Sequence, residues 1–406
     1  MSFSSEQPFK IAVLDDAIAQ LKRKLSDVRF PDELDDAGWD YGAPLADIKR
    51  LTERWRDGYD WRVHEAKLNE LPMFTRDIEV DGFGVLNLHY VHQQSTVENA
   101  IPLLFSYGWP GSFVEVSKIL PLLTAASPDH PSFHVVAPSL PGYGFSEGIR
   151  KPGFRGVQYA ELFNKLMLSL GYNEYVTQGG DWGHVLTRIT AAKYGPKHVK
   201  ASHSNMPFGV PAPSLRSAPF VFLRYLLTPS TPEEKADRAR SDWFVAHGLG
   251  YMALLSTAPQ TIAYALADSP VGVLAWIYEK LVAVTDAYPW EDDEVLTWIS
   301  IFWFSRAGPG ASSHIYYELS KSGEMANSRP SPVPVGFSVF PKEPFVPPRS
   351  WIHGAPNVVF VKEHKEGGHF AAYEKPQALV DDVRAMFGMG GPAAGVVPGK
   401  SGYTDA

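Results

Sequence analysis

The chain has 406 residues, 45% of them hydrophobic and 20% charged, which is the balance of a globular protein with enough apolar residues for a large core. The net charge of −8 argues against a nucleic-acid partner, because phosphate binding needs a basic face. Cysteine is absent, which excludes disulfides, thiolate nucleophiles and Cys-based zinc or iron–sulfur sites.

The amino-terminal region, residues 1–95, differs from the rest of the chain. Apolar residues recur at helical spacing in two stripes, one over 14–25 and one over 48–55. A stretch rich in Pro, Gly and Asp, residues 30–44, separates them. Two helices joined by an irregular strap are expected to wrap a neighbouring domain. Asp81-Gly82, between two runs of β-forming residues, predicts a hairpin.

From residue 96 to 206 short apolar runs alternate with helical segments, which predicts βαβ units and a parallel sheet. Strands are predicted at 101–105, 133–137, 175–178 and 199–204. Ser112 and Glu115 stand in the S-x-x-E relation of a helix cap, which predicts a helix over 113–125.

Residues 207–330 predict a long, mainly helical insertion rich in Trp and Tyr. Strand patterns resume at 335–340 and 358–361, and an amphipathic helix follows over 376–387. The sequence therefore predicts one core, 96–206 and 331–390, interrupted by a helical cap, with a flexible Gly-rich tail over 391–406. Residues 1–10 are polar and no run of 18 apolar residues occurs, so neither a signal peptide nor a membrane span is expected, and a cytoplasmic location follows.

The most informative stretch is 175–184, where a predicted strand enters a tight turn and then a helix. Small residues lie two before and two after Asp181, which is the pattern of the G-x-S-x-G nucleophile turn with Asp in the place of Ser. The alternative is a glycine-rich loop in which Asp181 caps the helix. As a nucleophile, Asp181 would attack a carbon and leave an ester on the enzyme, so the reaction would be displacement at an electrophilic carbon.

Three further positions fit this turn. The loop 106–112 and the residue after Asp181 would supply two backbone N–H groups to an oxyanion, those of Trp109 and Trp182. Glu343 and His369 each follow a later predicted strand, in the order nucleophile, acid, base. Simpler interpretations exist. The loop 106–112 is also consistent with an ordinary turn, and one histidine in a loop is weak evidence in a chain that has 13 histidines.

Taken together, the motifs resemble the microsomal-type epoxide hydrolases of the α/β-hydrolase superfamily over nearly the whole chain. The matching segments are 39–42, 59–62, 68–74, 108–113, 138–146, 179–183, 336–343 and 367–370. The resemblance implies an α/β-hydrolase fold: a mostly parallel sheet flanked by helices, with a helical cap and an amino-terminal wrapping segment. It implies hydrolysis of a small apolar epoxide by water to a vicinal diol, with no cofactor and no metal. Its soluble microbial members suggest a homodimer without a membrane anchor.

The resemblance also implies two cap tyrosines that assist ring opening. Residues 250–252 nominate Tyr251 as the first. A Tyr two residues before Glu318 nominates Tyr316 as the second, with the adjacent Tyr317 as a rival. One position departs from the family, because its oxyanion loop usually begins with His and here begins with Tyr107. Since backbone amides form the oxyanion site, catalysis is expected to survive this change.

Two other functions remain open at this point. A haloalkane-type dehalogenase uses the same turn, including a Trp after the Asp, and needs an indole N–H from the cap, for which Trp303 is a candidate. A ligand-binding homologue would keep the pocket without catalysis. A metal hydrolase is disfavoured because no cluster of His and carboxylate residues has ligand spacing.

Overall fold

The computed structural model describes residues 5–216, 218–325 and 331–404. Within these residues, the strands are β1 (Gln7–Pro8), β2 (Met73–Val80), β3 (Gly84–Gln93), β4 (Ile101–Ser106), β5 (Phe133–Pro138), β6 (Tyr175–Gly179), β7 (Val199–Ser204), β8 (Val335–Val339) and β9 (Val358–Glu363). They form one sheet in the order β1-β2-β3-β5-β4-β6-β7-β8-β9. The pairs β1–β2, β2–β3 and β3–β5 are antiparallel, and the remaining pairs are parallel. The predicted α/β fold with a mostly parallel sheet is confirmed.

The α-helices of the same residues are α1 (Asp15–Ser26), α2 (Leu45–Glu53), α3 (Trp61–Leu68), α4 (Leu120–Thr124), α5 (Gly156–Ser169), α6 (Trp182–Tyr194), α7 (Pro219–Leu227), α8 (Pro232–Trp243), α9 (Gly250–Leu255), α10 (Pro259–Asp268), α11 (Pro270–Ala283), α12 (Asp292–Trp303), α13 (His314–Ser322), α14 (Arg349–Gly354), α15 (Ala371–Glu374) and α16 (Pro376–Phe387). Helices α7 to α13 lie between β7 and β8 in the chain, and we call them the cap. The chain thus leaves the sheet after β7 and returns to it at β8.

The centre of the sheet positions the site. Strands β4 and β6 are buried along their whole length, as expected where helices cover both faces of a parallel sheet. They are neighbours in the sheet and end in register, Ser106 opposite Gly179. The loop after β4 and the turn after β6 therefore leave the sheet side by side.

The amino-terminal helices pack against the cap. Helix α1 buries Leu21 and Leu25, and the ring of Trp39 lies 5.7 Å from the ring of Tyr278 on α11. The Arg54 guanidinium donates to both carboxylate oxygens of Asp293 on α12, each over 2.8 Å, and the Tyr59 hydroxyl lies 3.1 Å from the Thr297 hydroxyl on the same helix. The segment predicted to wrap a neighbour thus has polar and apolar contacts with the cap.

The predicted helix over 113–125 is wrong in its extent. A 3-10 turn covers Phe113–Val116, and α4 begins only at Leu120. Pro121 is the physical reason, because its ring excludes the carbonyl four residues earlier and it has no N–H to donate. A helix can begin at such a residue but cannot run through it.

The tail predicted to be flexible is anchored over the part that the structure describes, up to residue 404. Ala393 and Val397 are buried. The Gly402 N–H donates to the Asn99 carbonyl over 3.0 Å, and the Ser132 N–H donates to the Gly402 carbonyl over 2.7 Å. Of the glycines that suggested mobility, Gly395, Gly399 and Gly402 have positive φ, and the turns at these residues fold the tail onto the body.

Among the described residues, no single helix is long and apolar enough to cross a membrane, although α10 and α11 together reach the required length and composition with a bend of 117° between them. Over the same residues, no group of three or more His, Asp or Glu side chains is arranged to hold a metal ion.

Candidate active site

The turn between β6 and α6 carries Asp181. Its backbone has φ 51° and ψ −128°, a conformation that residues with a side chain rarely adopt. Glycines make the turn possible. A Cβ at Gly179 would come against the backbone at the start of α6, and a Cβ at Gly183 would overlap the Ser106 carbonyl. Strand and helix can approach this closely only with glycine at both positions, and the Asp181 side chain is left projecting from the turn.

The loop after β4 lies directly against Asp181. The Trp109 N–H donates to Asp181 Oδ1 over 2.8 Å, and the peptide bond between Trp109 and Pro110 is cis. A Cβ at Gly108 would overlap the Asp181 carboxylate, so this approach also requires glycine. Trp182 begins α6, where N–H groups lack acceptors within the helix and attract negative charge. Both amides proposed for an oxyanion therefore belong to segments that adjoin the carboxylate.

His369 lies between Asp181 and Glu343. Its Nδ1 is 2.8 Å from Glu343 Oε2, and its Nε2 is 3.4 Å from Asp181 Oδ2. The Glu343 side chain is buried. Burial lowers the pKa of His369, but the two carboxylates raise it by more, so this pKa lies well above its ordinary value. The two carboxylates therefore favour the protonated form of the ring.

The backbone of His369 is fixed from two sides. Its N–H donates to the carbonyl of Val284, at the end of α11 in the cap, over 3.0 Å. Its carbonyl accepts from Asn205 Nδ2 over 3.1 Å, and Asn205 in turn accepts from Gln178 Nε2 over 2.9 Å. These bonds hold the ring in place between cap and sheet.

The cap brings two tyrosine rings to the same place. Tyr251 on α9 stacks on Trp109 with ring centres 5.1 Å apart, and Tyr316 on α13 meets the Trp182 ring edge-on at 4.7 Å. The two tyrosine rings are 5.9 Å apart. Tyr317 is 37% exposed, whereas Tyr316 is 2% exposed. The structure therefore places Tyr316, and not its neighbour, against the site.

A mainly apolar cavity lies between Asp181 and the cap, as is usual for small-molecule sites. It is lined by Trp109, Pro110, Asp181, Met206, Phe244, Tyr251, Lys280, Val284, Pro344, Phe345 and His369. Lys280 brings a cation to this lining. Its Nζ lies 4.6 Å from the centre of the Tyr251 ring and pairs with Glu279 Oε2 at 2.6 Å.

The structure thus brings together the residues that the sequence nominated: Asp181, His369, Glu343, Tyr251 and Tyr316, with the amides of Trp109 and Trp182. Sequence reasoning missed three neighbours. Asn205 and Lys280 belong to no motif that would have marked them. Glu115 was assigned to a helix cap, yet its side chain lines a cavity beside Asp181.

Comparison with known proteins shows the family to which the chain belongs. Residues 6–116 match the family described as "Epoxide hydrolase N terminus", and residues 101–243 match "alpha/beta hydrolase fold". Epoxide hydrolase 1 of Sus scrofa is 35% identical over 414 residues, which cover 95% of this chain and 89% of that protein.

Solved structures give the same result. The epoxide hydrolase of Aspergillus niger is 33% identical with a TM-score of 0.79, covering 94% of this chain and 95% of that chain. The juvenile hormone epoxide hydrolase of the silkworm Bombyx mori is 29% identical with a TM-score of 0.83, covering 93% of each chain. The chain therefore belongs to the microsomal-type epoxide hydrolase family and is a hydrolase of the ether-bond class.

Proposed function

We propose that the chain converts a small apolar epoxide to a vicinal diol through an ester on Asp181. The observation that carries the proposal is the position of one carboxylate between a Glu-supported histidine and the two cap tyrosines, whose rings pack on the Trp residues that adjoin it. A nucleophile, a base for water and donors for a leaving oxygen are the three elements that this reaction needs.

In the first step the Asp181 carboxylate attacks one epoxide carbon while the bond from that carbon to the ring oxygen breaks. The oxygen leaves as an alkoxide, a poor leaving group in water, so donors placed where this charge develops lower the barrier. Tyr251 and Tyr316 supply two O–H groups. Burial raises the pKa of both phenols, and Asp181 raises it further, so both keep their protons at neutral pH. One phenol then transfers its proton to the alkoxide.

Ester formation changes the state of His369. The ester has no negative charge, so one of the two carboxylates that raise the pKa of His369 is lost. The imidazolium can then release its proton, which restores the phenol, while Glu343 continues to hold Nδ1.

In the second step neutral His369 takes a proton from water, and the water oxygen adds to the ester carbonyl carbon. The amides of Trp109 and Trp182 stabilise the resulting oxyanion. Collapse of this intermediate breaks the bond to the substrate oxygen, which takes the proton from His369 and leaves Asp181 as a carboxylic acid. This acid passes the second water proton to His369, so the diol leaves and the Asp181 carboxylate and the imidazolium are both regenerated.

The paired phenols separate this function from a haloalkane-type dehalogenase. A halide leaves without a proton, whereas an alkoxide needs one, and Tyr251 and Tyr316 lie with their rings 5.9 Å apart. The epoxide therefore suits the cap better than the alkyl halide does.

The test is to mix the protein with styrene oxide, quench in acid, and locate the added mass by peptide mass spectrometry. We expect the mass of one substrate on the peptide that contains Asp181, with diol in solution. Asp181→Asn is the control that should carry no added mass. A parallel incubation with 1-bromobutane should release no bromide. Release of bromide without formation of diol would identify a dehalogenase. Formation of diol without the labelled peptide would refute the ester intermediate. If neither diol nor bromide forms, a ligand-binding homologue is the remaining alternative.

A further inference from the structure

A second, smaller cavity meets the site from the side of the sheet. It shares only Asp181 and His369 with the apolar cavity under the cap, and Gly108, Glu115, Gly180 and Asn205 are among its other lining residues. The centre of a water molecule has about 10 Å³ in which to move there, which is close to the minimum for one ordered water. Asp181 and His369 thus lie between the cavity under the cap and this smaller cavity on the side of the sheet.

Glu115 is the unexplained polar group of this cavity. It is 7% exposed, and its Oε1 has no hydrogen-bond partner among the described residues. A buried carboxyl oxygen without a partner is costly, so it calls for a ligand or a role. The loop makes room for it, since a Cβ at Gly111 would overlap Glu115 Oε1. The glycine after the cis proline therefore admits this carboxyl group to the cavity.

The protonation state of Glu115 is suited to binding a water molecule. Burial raises the pKa of Glu115 to about 8, more than nearby His369 lowers it, and Asp181 raises it further. At neutral pH the group is an uncharged carboxylic acid with one donor and a free acceptor. The other titratable groups that line this cavity are Asp181, His369 and Tyr107. A neutral acid can lie beside the Asp181 carboxylate without repulsion and can still bond to water.

We propose that Glu115 is a positioning residue that holds the hydrolytic water in the small cavity, between His369 and the ester carbonyl carbon of Asp181. This inference rests on the proposed function. One water hydrogen points to His369 Nε2, which removes it, and the other is held by Glu115 Oε1. The lone pair of the water oxygen is left facing the carbonyl carbon. Water held in this way does not compete with the epoxide, which occupies the cavity under the cap.

The proposal predicts that Glu115 acts on one half of the reaction. Glu115→Leu removes both hydrogen-bonding atoms, so single-turnover mixing with styrene oxide should show ester decay slowed by about tenfold to a hundredfold, at the low end of what positioned proton transfer contributes. Glu115→Gln keeps a donor and an acceptor and should restore decay to within a few-fold of the wild type. Ester formation should remain close to wild type in both variants, because Glu115 does not line the substrate cavity.

The outcomes are distinguishable. Equal ester decay in Glu115→Leu and the wild type overturns the inference while leaving the proposed function intact. Equal slowing of formation and decay also overturns it, since that pattern indicates a purely structural role. If the wild type forms no ester at all, the proposed function itself fails. Should Glu115→Leu not fold, as judged by circular dichroism, Glu115→Asp replaces it, because the carboxyl group is then withdrawn from the cavity and decay alone should again slow.

Discussion

The two sides of the site are held by different kinds of contact. On the sheet side, Asp181 and His369 are fixed by directional hydrogen bonds, such as those from the Trp109 amide and to Glu343. On the cap side, Tyr251 and Tyr316 are held by ring packing against Trp109 and Trp182. Hydrogen bonds weaken steeply with small errors of angle, whereas ring contacts are spread over many atoms.

This difference has a chemical consequence. In the proposed mechanism the epoxide carbon must meet the Asp181 oxygen, and water must later meet the ester carbonyl carbon of Asp181, each in one geometry that the sheet side would hold rigid. The leaving oxygen of different epoxides would lie at slightly different positions, and two packed phenols could serve more than one of them. Substitutions on the sheet side should therefore be more damaging than substitutions on the cap side that keep the ring.

The largest expected effect is that of Asp181→Asn. It removes the proposed nucleophile, so diol formation should fall by about 10⁴-fold or more. Asn keeps an oxygen that accepts from the Trp109 N–H, so the melting temperature should change little. The measurement is diol production from styrene oxide together with thermal unfolding. Activity within tenfold of the wild type would mean that the sheet side does not supply the nucleophile.

Loss of a single cap hydroxyl should have a smaller effect. Tyr251→Phe and Tyr316→Phe each keep the ring contacts and remove one donor, so the rate of ester formation should fall by about a hundredfold in each. Tyr317→Phe, next to Tyr316 on α13 but exposed, is the matched control and should leave the rate nearly unchanged. Loss of activity in Tyr317→Phe but not in Tyr316→Phe would show that the wrong ring was assigned.

Substitution of two glycines tests how tightly the backbone is packed on the two sides of the site. A Cβ at Gly183 would overlap the Ser106 carbonyl, whereas a Cβ at Gly250, the residue before Tyr251, has nothing within 4 Å. Gly183→Ala should therefore lower the free energy of unfolding by about 1–3 kcal/mol, and Gly250→Ala should change it by less than about 0.5 kcal/mol. Urea denaturation measures both values. Similar losses in the two variants would remove the contrast between a tight sheet side and an open cap.

Between pH 5 and 8 the sheet side should titrate, and the cap phenols should not. Burial raises the pKa of Glu115 to about 8 and that of Glu374 to about 7, from an ordinary 4.5. These two carboxyl groups bind more protons in the folded chain than in the unfolded chain, so their contribution to the free energy of unfolding falls as pH rises through this window. The raised pKa of His369 acts in the same direction. Burial lowers the pKa of His89, His184 and His203, so these histidines act in the opposite direction in the lower part of the window.

Glu115→Gln removes the titration of this carboxyl group. The loss of unfolding free energy that it causes between pH 5 and pH 8, at least about 1 kcal/mol, should therefore be absent in the variant. Urea denaturation of the variant and the wild type at both pH values provides the comparison. Parallel pH dependences in the two proteins would contradict a protonated Glu115.

The sheet side was predictable because its geometry depends on local sequence. A sharp turn needs glycine on both sides of Asp181, and an acid and a base that follow successive strands of one sheet must meet at the same edge. The cap side was not predictable from local pattern. Tyr251 and Tyr316 are two of 18 tyrosines, and only the family resemblance nominated them. Periodicity alone does not choose between Tyr316 and Tyr317, since the choice depends on which face of α13 meets the site.

Glu115 shows a further limit of local reasoning. Ser112 Oγ does accept from the Val114 N–H over 3.3 Å, so half of the predicted capping pattern is present. The Glu115 side chain turns inwards because distant segments, around residues 180, 205 and 370, form a cavity that receives it. A four-residue motif contains no information on that cavity.

The anchored tail has a practical consequence for immobilisation. Residue 402 is hydrogen bonded to Asn99 and Ser132, which directly precede the amino ends of β4 and β5, whereas Asp181 lies beyond the carboxyl end of β6. The length of β4, six residues, separates these two edges by about 20 Å. A carrier bead attached through a side chain beside residue 402 would therefore lie at the edge of the sheet opposite Asp181, and such an attachment should leave turnover undisturbed.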